Sequence, residues 1–277
     1  MTPTVTLLVL GAALLHVAWN AIIKSSRDVM YDTALVAAGA SLLSLPLIAL
    51  VPAPARASWP YIAASAIIHT GYYAALVGAY RIGDLGHAYP IMRGTAPLLV
   101  ALFGLALLDD QPSSATWLGI VLISAGILCI GVLQHTHATR SATFWALGNA
   151  VIIASYTLVD GIGVRLAGSA SGYVLWMFLL QGLPFVAAIV ALRGRAALKY
   201  AGAYWHRGLA SGLCIIASYG IVLWAMTQAP VAAVAALRET SVIFAAVLGS
   251  VMLKEPFGRN RIIGAFAVAL GVIALRQ

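Results

Sequence analysis

Arg93 and Arg238 each stand inside a long apolar run, where an ionisable group is costly and marks a candidate functional site. A guanidinium presents its N–H donors as a planar fork that matches a carboxylate or phosphoryl group bidentately. Two such groups at one depth make a receptor for an anionic substrate. The competing role is structural: each arginine can bond backbone carbonyls released where proline interrupts a helix, as at Pro90 and Pro97. Glu239 follows Arg238 directly and is the one acid that falls well inside an apolar run. Two roles stay open for it, neutralising an arginine or exchanging a proton. Helical neighbours point about 100° apart, so Glu239 need not pair with Arg238 itself.

A second polar group lies near the N-terminus. His16, Asn20 and Lys24 recur every fourth residue and share one helical face, with Trp19 beside them. Such a face looks at protein or water rather than lipid, as a cavity wall or as a helix–helix contact. Aromatic residues add to the set: Tyr73 and Tyr80 on one face with His69, Tyr89 one turn before Arg93, then Tyr156, Tyr219 and Trp224. Aromatic faces receive an ammonium or a ring. The candidate substrate-binding residues are His16, Trp19, Asn20, Lys24, Tyr73, Tyr80, Tyr89, Arg93, Tyr156, Trp224, Arg238 and Glu239. Asp160, near the end of its apolar run, is expected to be wet. His135 and His137 read as surface residues, and Cys129 and Cys214 as packing. No metal, cofactor or catalytic motif is present: neither HExxH nor GxSxG occurs, and Gly161-Ile-Gly163 lacks the rest of a nucleotide-binding pattern.

The elements that must position these residues follow from composition. Of 277 residues, 62% are hydrophobic and 9% charged, against about 25% charged in a soluble domain. Lipid must therefore cover most of the outside. Apolar runs of spanning length fall near 4–24, 32–51, 59–80, 85–108, 115–134, 141–160, 171–192, 205–228, 231–253 and 260–275. Between them stand Pro52 and Pro54, Gly83 with Asp84, Asp109 to Pro112, Gly168 to Gly172, and Pro256 with Gly258. The fold class expected is all-α, with ten transmembrane helices. The first is expected to be retained rather than cleaved, because no basic segment precedes it. The net charge of +8 comes from Lys and Arg at helix ends, a topology signal rather than a nucleic-acid footprint. Trp59, Tyr61, Trp145, Tyr204 and Trp205 sit at helix ends as interfacial anchors.

The chain also repeats itself. Shifting it by 145 positions lays Arg93 on Arg238, Thr95 on Thr240, Gly104 on Gly249 and Leu108 on Leu253. Gly119 then meets Gly264, Gly126 meets Gly271, and Asp110 meets Glu255. Two halves of five helices result, 1–137 and 138–277. With an odd number of spans, the second half enters the membrane from the opposite side. Inverted repeats of this kind are typical of secondary transporters, with the substrate near the midplane. Each arginine lies about eight residues, roughly 12 Å, into its helix, one measured from each face. Both then sit near the middle of a core of about 30 Å. The four glycines recur every seven residues on helices five and ten and read as close packing, or as a homodimer face.

Five-plus-five helices, the run Trp19-Asn20-Ala21-Ile22-Ile23-Lys24 and the turn Leu253-Lys254-Glu255-Pro256 resemble the EamA family of the drug/metabolite transporter superfamily. The resemblance covers the whole chain. In that family a Gly-Glu or similar acidic pair follows helices four and nine; here Asp109-Asp110 and Lys254-Glu255 stand there, without the glycine. The resemblance implies a ten-helix basket around a central cavity and the export of amino acids or other metabolites. It also implies cytoplasmic termini. The side bearing Arg56, Arg165 and Arg276 is the poorer in Lys and Arg, which by itself places the termini outside.

The function expected is secondary transport of a small carboxylate-bearing metabolite across a bacterial inner membrane by alternating access, with an amino-acid exporter foremost. Uptake of an organic anion or phosphonate-like compound suits the arginines equally. An intramembrane enzyme or sensor is the reading of another class. The partners expected are the substrate, the bilayer and, if Glu239 exchanges one, a coupling proton. The protein is expected to be a monomer or homodimer that binds no nucleic acid.

Overall fold

A computed structural model describes residues 1–24, 28–82, 85–108, 110–132, 140–253 and 258–277. Among them are α1 (Pro3–Lys24), α2 (Val29–Leu47), α3 (Trp59–Ile82), α4 (Leu85–Leu107), α5 (Ser114–Val132), α6 (Arg140–Leu166), α7 (Ala170–Arg193), α8 (Arg195–Met226), α9 (Val231–Arg238), α10 (Ser241–Leu253) and α11 (Arg259–Ala274). No strand occurs among the described residues. Seven of the described helical segments are long and apolar enough to cross a bilayer. Leu7, Leu14, Leu42, Phe144, Leu192 and Phe266 lie exposed on helical surfaces, as lipid rather than water requires.

Local chemistry sets the helix ends. Asp28 caps α2, its carboxylate accepting from the amides of Met30 at 2.9 Å and Tyr31 at 3.2 Å. Ser169 caps α7 by accepting from Gly172 N–H at 3.0 Å. Gly194, at φ 52°, joins α7 to α8 in a conformation that a Cβ would strain. α8 begins ten residues before the expected 205 because it carries an extra segment, with a kink at Tyr204 (φ −123°, ψ 18°). The expected ninth helix, 231–253, is broken in two between Arg238 and Ser241.

The chain forms two compact units. The first comprises Met1–Leu14, Ala75–Leu158 and Gln228–Gln277; the second comprises Leu15–Ala74 and Val159–Thr227. Within the first, α5 packs against α4, α9 and α11, and α4 packs against α9. The paired glycines govern the α5–α11 contact. A Cβ on Gly126 would lie 2.6 Å from the carbonyl oxygen of Gly264, and one on Gly119 would lie 2.9 Å from that of Gly271. The face expected as either packing or a dimer surface is thus filled by this chain's own helix. Within the second unit α2 packs against α7 and α8, and Gly39 meets the backbone of Gly208 as closely.

Candidate substrate-binding site

The break after α9 builds the first unit's polar centre. All eight residues of α9 are buried, so its polar groups must be satisfied within the protein. The turn tightens to three-residue spacing, with Glu239 N–H donating to the Ala236 carbonyl at 3.1 Å and Thr240 N–H to that of Leu237 at 3.2 Å. The Thr240 hydroxyl also donates to the Leu237 carbonyl, at 2.8 Å. In this tightened turn Glu239 meets its own neighbour, one of the pairings that the sequence left open. Arg238 donates to Glu239 Oε1 through Nε at 3.2 Å and Nη2 at 2.9 Å.

Arg93 of α4 reaches the same carboxylate. Its Nη1 donates to Oε1 at 3.2 Å and lies 3.2 Å from Oε2. All three side chains are buried. The hydrogen bonds fall on Oε1, while Oε2 has none that is well directed among the described residues. The Arg93 guanidinium also sits 5.4 Å from the ring centre of Tyr89, within cation–π range. Next to Arg93 in the chain, Met92 accepts from Asn149 Nδ2 through Sδ at 2.9 Å. The formal charge of the Arg93–Glu239–Arg238 trio is one positive unit. In a water-poor interior such a trio is costly unless a ligand or function repays it.

The acidic turn after α4 has a structural task as well. Asp110 Oδ2 accepts from the backbone N–H of Val231 at 2.9 Å. A carboxylate on the first amide of α9 satisfies an orphan donor and complements the helix dipole.

Tyr89, Arg93, Arg238 and Glu239 are therefore brought together. Tyr156 is buried in the same unit. In the second unit His16, Trp19 and Asn20 line one stretch of α1. Asn20 donates back to the His16 carbonyl at 2.7 Å, and the His16 and Trp19 rings meet edge-on at 5.1 Å. Trp19 packs with Ile23, Val36, Cys214 and Ile215. Trp224 is exposed. The side chains of Lys24, Tyr73 and Tyr80 lie outside the described residues, as do His135, His137, Asp109 and the Lys254-Glu255-Pro256 turn.

Asp160 corrects the reading of a wet helix end. It is 0% exposed, because α6 continues through it to Leu166. Tyr173 donates to its Oδ1 at 2.9 Å and Tyr219 to its Oδ2 at 2.6 Å. Ser65 and His69 complete its surroundings. The signal that sequence reasoning passed over is Arg165: a cation marks the C-terminal turn of a helix better than an acid does. Arg207, within α8, likewise turns inward. It donates to the Ile22 carbonyl at 2.7 Å and pairs with buried Asp32 at 3.3 Å, which also accepts from Tyr200 at 3.0 Å.

The EamA-like transporter family matches residues 4–132 and again 140–277. The chain belongs to the EamA-like transporter family. This EamA-like protein is accordingly a multi-pass membrane transporter of the drug/metabolite superfamily. It is similar to the uncharacterized transporter YwfM of Bacillus subtilis (strain 168), 22% identical over 226 residues, spanning 79% of this chain and 73% of that protein. A crystal structure of a protein with 17% sequence identity matches its fold with a TM-score of 0.76, over 100% of this chain and 99% of the other.

Proposed function

We propose that this EamA-like protein moves a small carboxylate-bearing metabolite, foremost an amino acid outward, across the bacterial cytoplasmic membrane by alternating access. The observation that carries the reading is the shared carboxylate of Glu239 between Arg93 and Arg238. A substrate carboxylate offers the arginines the acceptor that Glu239 offers them now. A zwitterion goes further, because its ammonium can pair with Glu239 while its carboxylate takes the guanidiniums. A dianionic phosphonate would face repulsion from Glu239, which favours the amino acid over the organic-anion alternative. In this reading Glu239 neutralises the arginines and exchanges partners rather than protons.

Inverted repetition of the halves 1–137 and 138–277, ten spans in all, belongs to the same proposal. The family matches each half in turn. The glycine contacts support it too: Gly126 meets Gly264 and Gly119 meets Gly271, and the 145-residue shift turns each of these pairs into the other. Thermal-shift screening of purified protein against amino acids, monocarboxylates and phosphonates, followed by counterflow in proteoliposomes, tests the reading. Stabilisation and exchange by amino acids support it. Response to phosphonates alone moves the assignment to the organic-anion class, and exchange of none of the three classes contradicts both.

A further inference from the structure

The second unit holds a buried acid that the arginine site does not use. Asp160 on α6 is 0% exposed, and both of its oxygens accept hydrogen bonds from tyrosine hydroxyls, Tyr173 on α7 at 2.9 Å and Tyr219 on α8 at 2.6 Å. From α3 it faces the Ser65 hydroxyl and the His69 ring. His69 is 7% exposed; its Nδ1 lies 3.0 Å from the Ser65 carbonyl oxygen and 3.1 Å from the Ser65 hydroxyl, and its ring lies edge-on to Tyr219 at 5.9 Å.

This arrangement supplies hydrogen bonds to a carboxylate but, among the described residues, no permanent counter-charge. Tyrosine hydroxyls are neutral donors, and among the described residues around Asp160 His69 is the group that can become cationic. A lone buried carboxylate is expensive in a membrane interior. One proton resolves this, on Asp160 itself or on His69 as an ion pair. Nδ1 can donate to the Ser65 carbonyl or accept from the Ser65 hydroxyl, so the ring has a hydrogen-bond partner in either neutral tautomer and in the cation. A metal cation fits poorly, because the two hydroxyl hydrogens point at the carboxylate oxygens a cation would need. The contrast with Glu239 is direct: a proton there would leave two buried guanidiniums without their shared counter-charge.

We infer that the Asp160–His69 pair, framed by Tyr173, Tyr219 and Ser65, is an exchangeable proton site, and that it rather than Glu239 carries the coupling proton. Its link to transport rests on the reading proposed above; the proton binding itself does not.

Infrared difference spectroscopy of the full-length protein in lipid vesicles, stepping from mildly alkaline to mildly acidic buffer, uses the proton alone as probe. The expected result is a protonated-carboxyl C=O band that appears in acid, is lost in Asp160→Asn and persists in Glu239→Gln. His69→Gln removes the partner and should change its pH dependence. A spectrum with neither an Asp160-dependent carboxyl band nor a His69-dependent imidazole band overturns the proposal, as does a carboxyl band lost in Glu239→Gln instead. Should Asp160→Asn fail to fold, Tyr219→Phe keeps the acid but removes its 2.6 Å hydrogen bond; the band must then move, and an unmoved band overturns the assignment. Sodium chloride that erases the band at fixed acidic pH, where choline chloride does not, overturns it in favour of a metal-cation site. Apart from a band lost in Glu239→Gln, these outcomes leave the arginine site untouched, so failure of the Asp160 site and failure of the transport reading are separable. Where counterflow of an amino acid is established, Asp160→Asn should retain exchange but lose accumulation driven by a pH gradient; accumulation equal to the parent overturns the coupling role.

Discussion

Gly126 and Gly264 meet backbone to backbone, so close that a Cβ built on either would stand 2.6 Å from the other's carbonyl oxygen. Helices in lipid gain little from burying apolar surface against one another, and close van der Waals approach is what holds them. Substitution of Gly126 by Val should force α5 and α11 apart and cost about 1–3 kcal/mol. Gly148 on α6 has no atom near its would-be Cβ, so Gly148→Ala should be neutral or stabilising by about 0.5–1 kcal/mol through backbone entropy. Denaturant titration in detergent micelles ranks the two; equal stability would remove the glycine contact as a determinant.

Asp110 ties the loop after α4 to the start of α9. Asp110→Ala should cost about 0.5–2 kcal/mol, the usual value of an N-terminal cap, while Asp110→Asn should keep most of it. The same titration checks this, and an Asp110→Ala variant as stable as the parent would show that the bond to Val231 contributes nothing.

The two partners of the arginine trio should differ in what their loss does. Glu239→Gln leaves two buried guanidiniums without their common carboxylate and should destabilise by about 3–5 kcal/mol. Arg93→Gln leaves Arg238 and Glu239 as a neutral pair and should cost about 1.5–3 kcal/mol, a charge-assisted hydrogen bond. Thermal unfolding of the purified variants gives the order. If Glu239→Gln is the more stable of the two, the acid is not holding the arginines together.

Much of this architecture is legible in sequence because lipid imposes simple rules. The ends of α5 and α7 fall within a residue or two of the expected positions, since apolar runs stop where Pro, Gly and polar residues gather. Arg93, Arg238 and Glu239 stood out in the sequence because charge is costly in apolar surroundings, and all three are buried. Their pairing was not legible, because the α9–α10 break falls at Arg238-Glu239-Thr240, which carries neither Pro nor Gly to announce it. The burial of Asp160 was missed because it lies near the end of its apolar run, while the charge that marks the true helix end, Arg165, stands beyond that run. The contacts of Asp110 with Val231 and of Arg207 with Asp32 join residues 121 and 175 positions apart, which local pattern cannot reach.

The most direct test of the central claim is the affinity of the amino acid that stabilises the protein best, measured for the parent, Arg93→Lys and Arg93→Gln. Lysine keeps the charge but offers a compact point charge in place of the planar fork. If the substrate carboxylate is held by that fork, both variants should bind about ten- to a hundredfold more weakly, the loss of one charge-assisted hydrogen bond of about 1.5–3 kcal/mol. Arg93→Lys binding as tightly as the parent would contradict the account and leave Arg93 as a structural tie to the helix interrupted at Pro90 and Pro97.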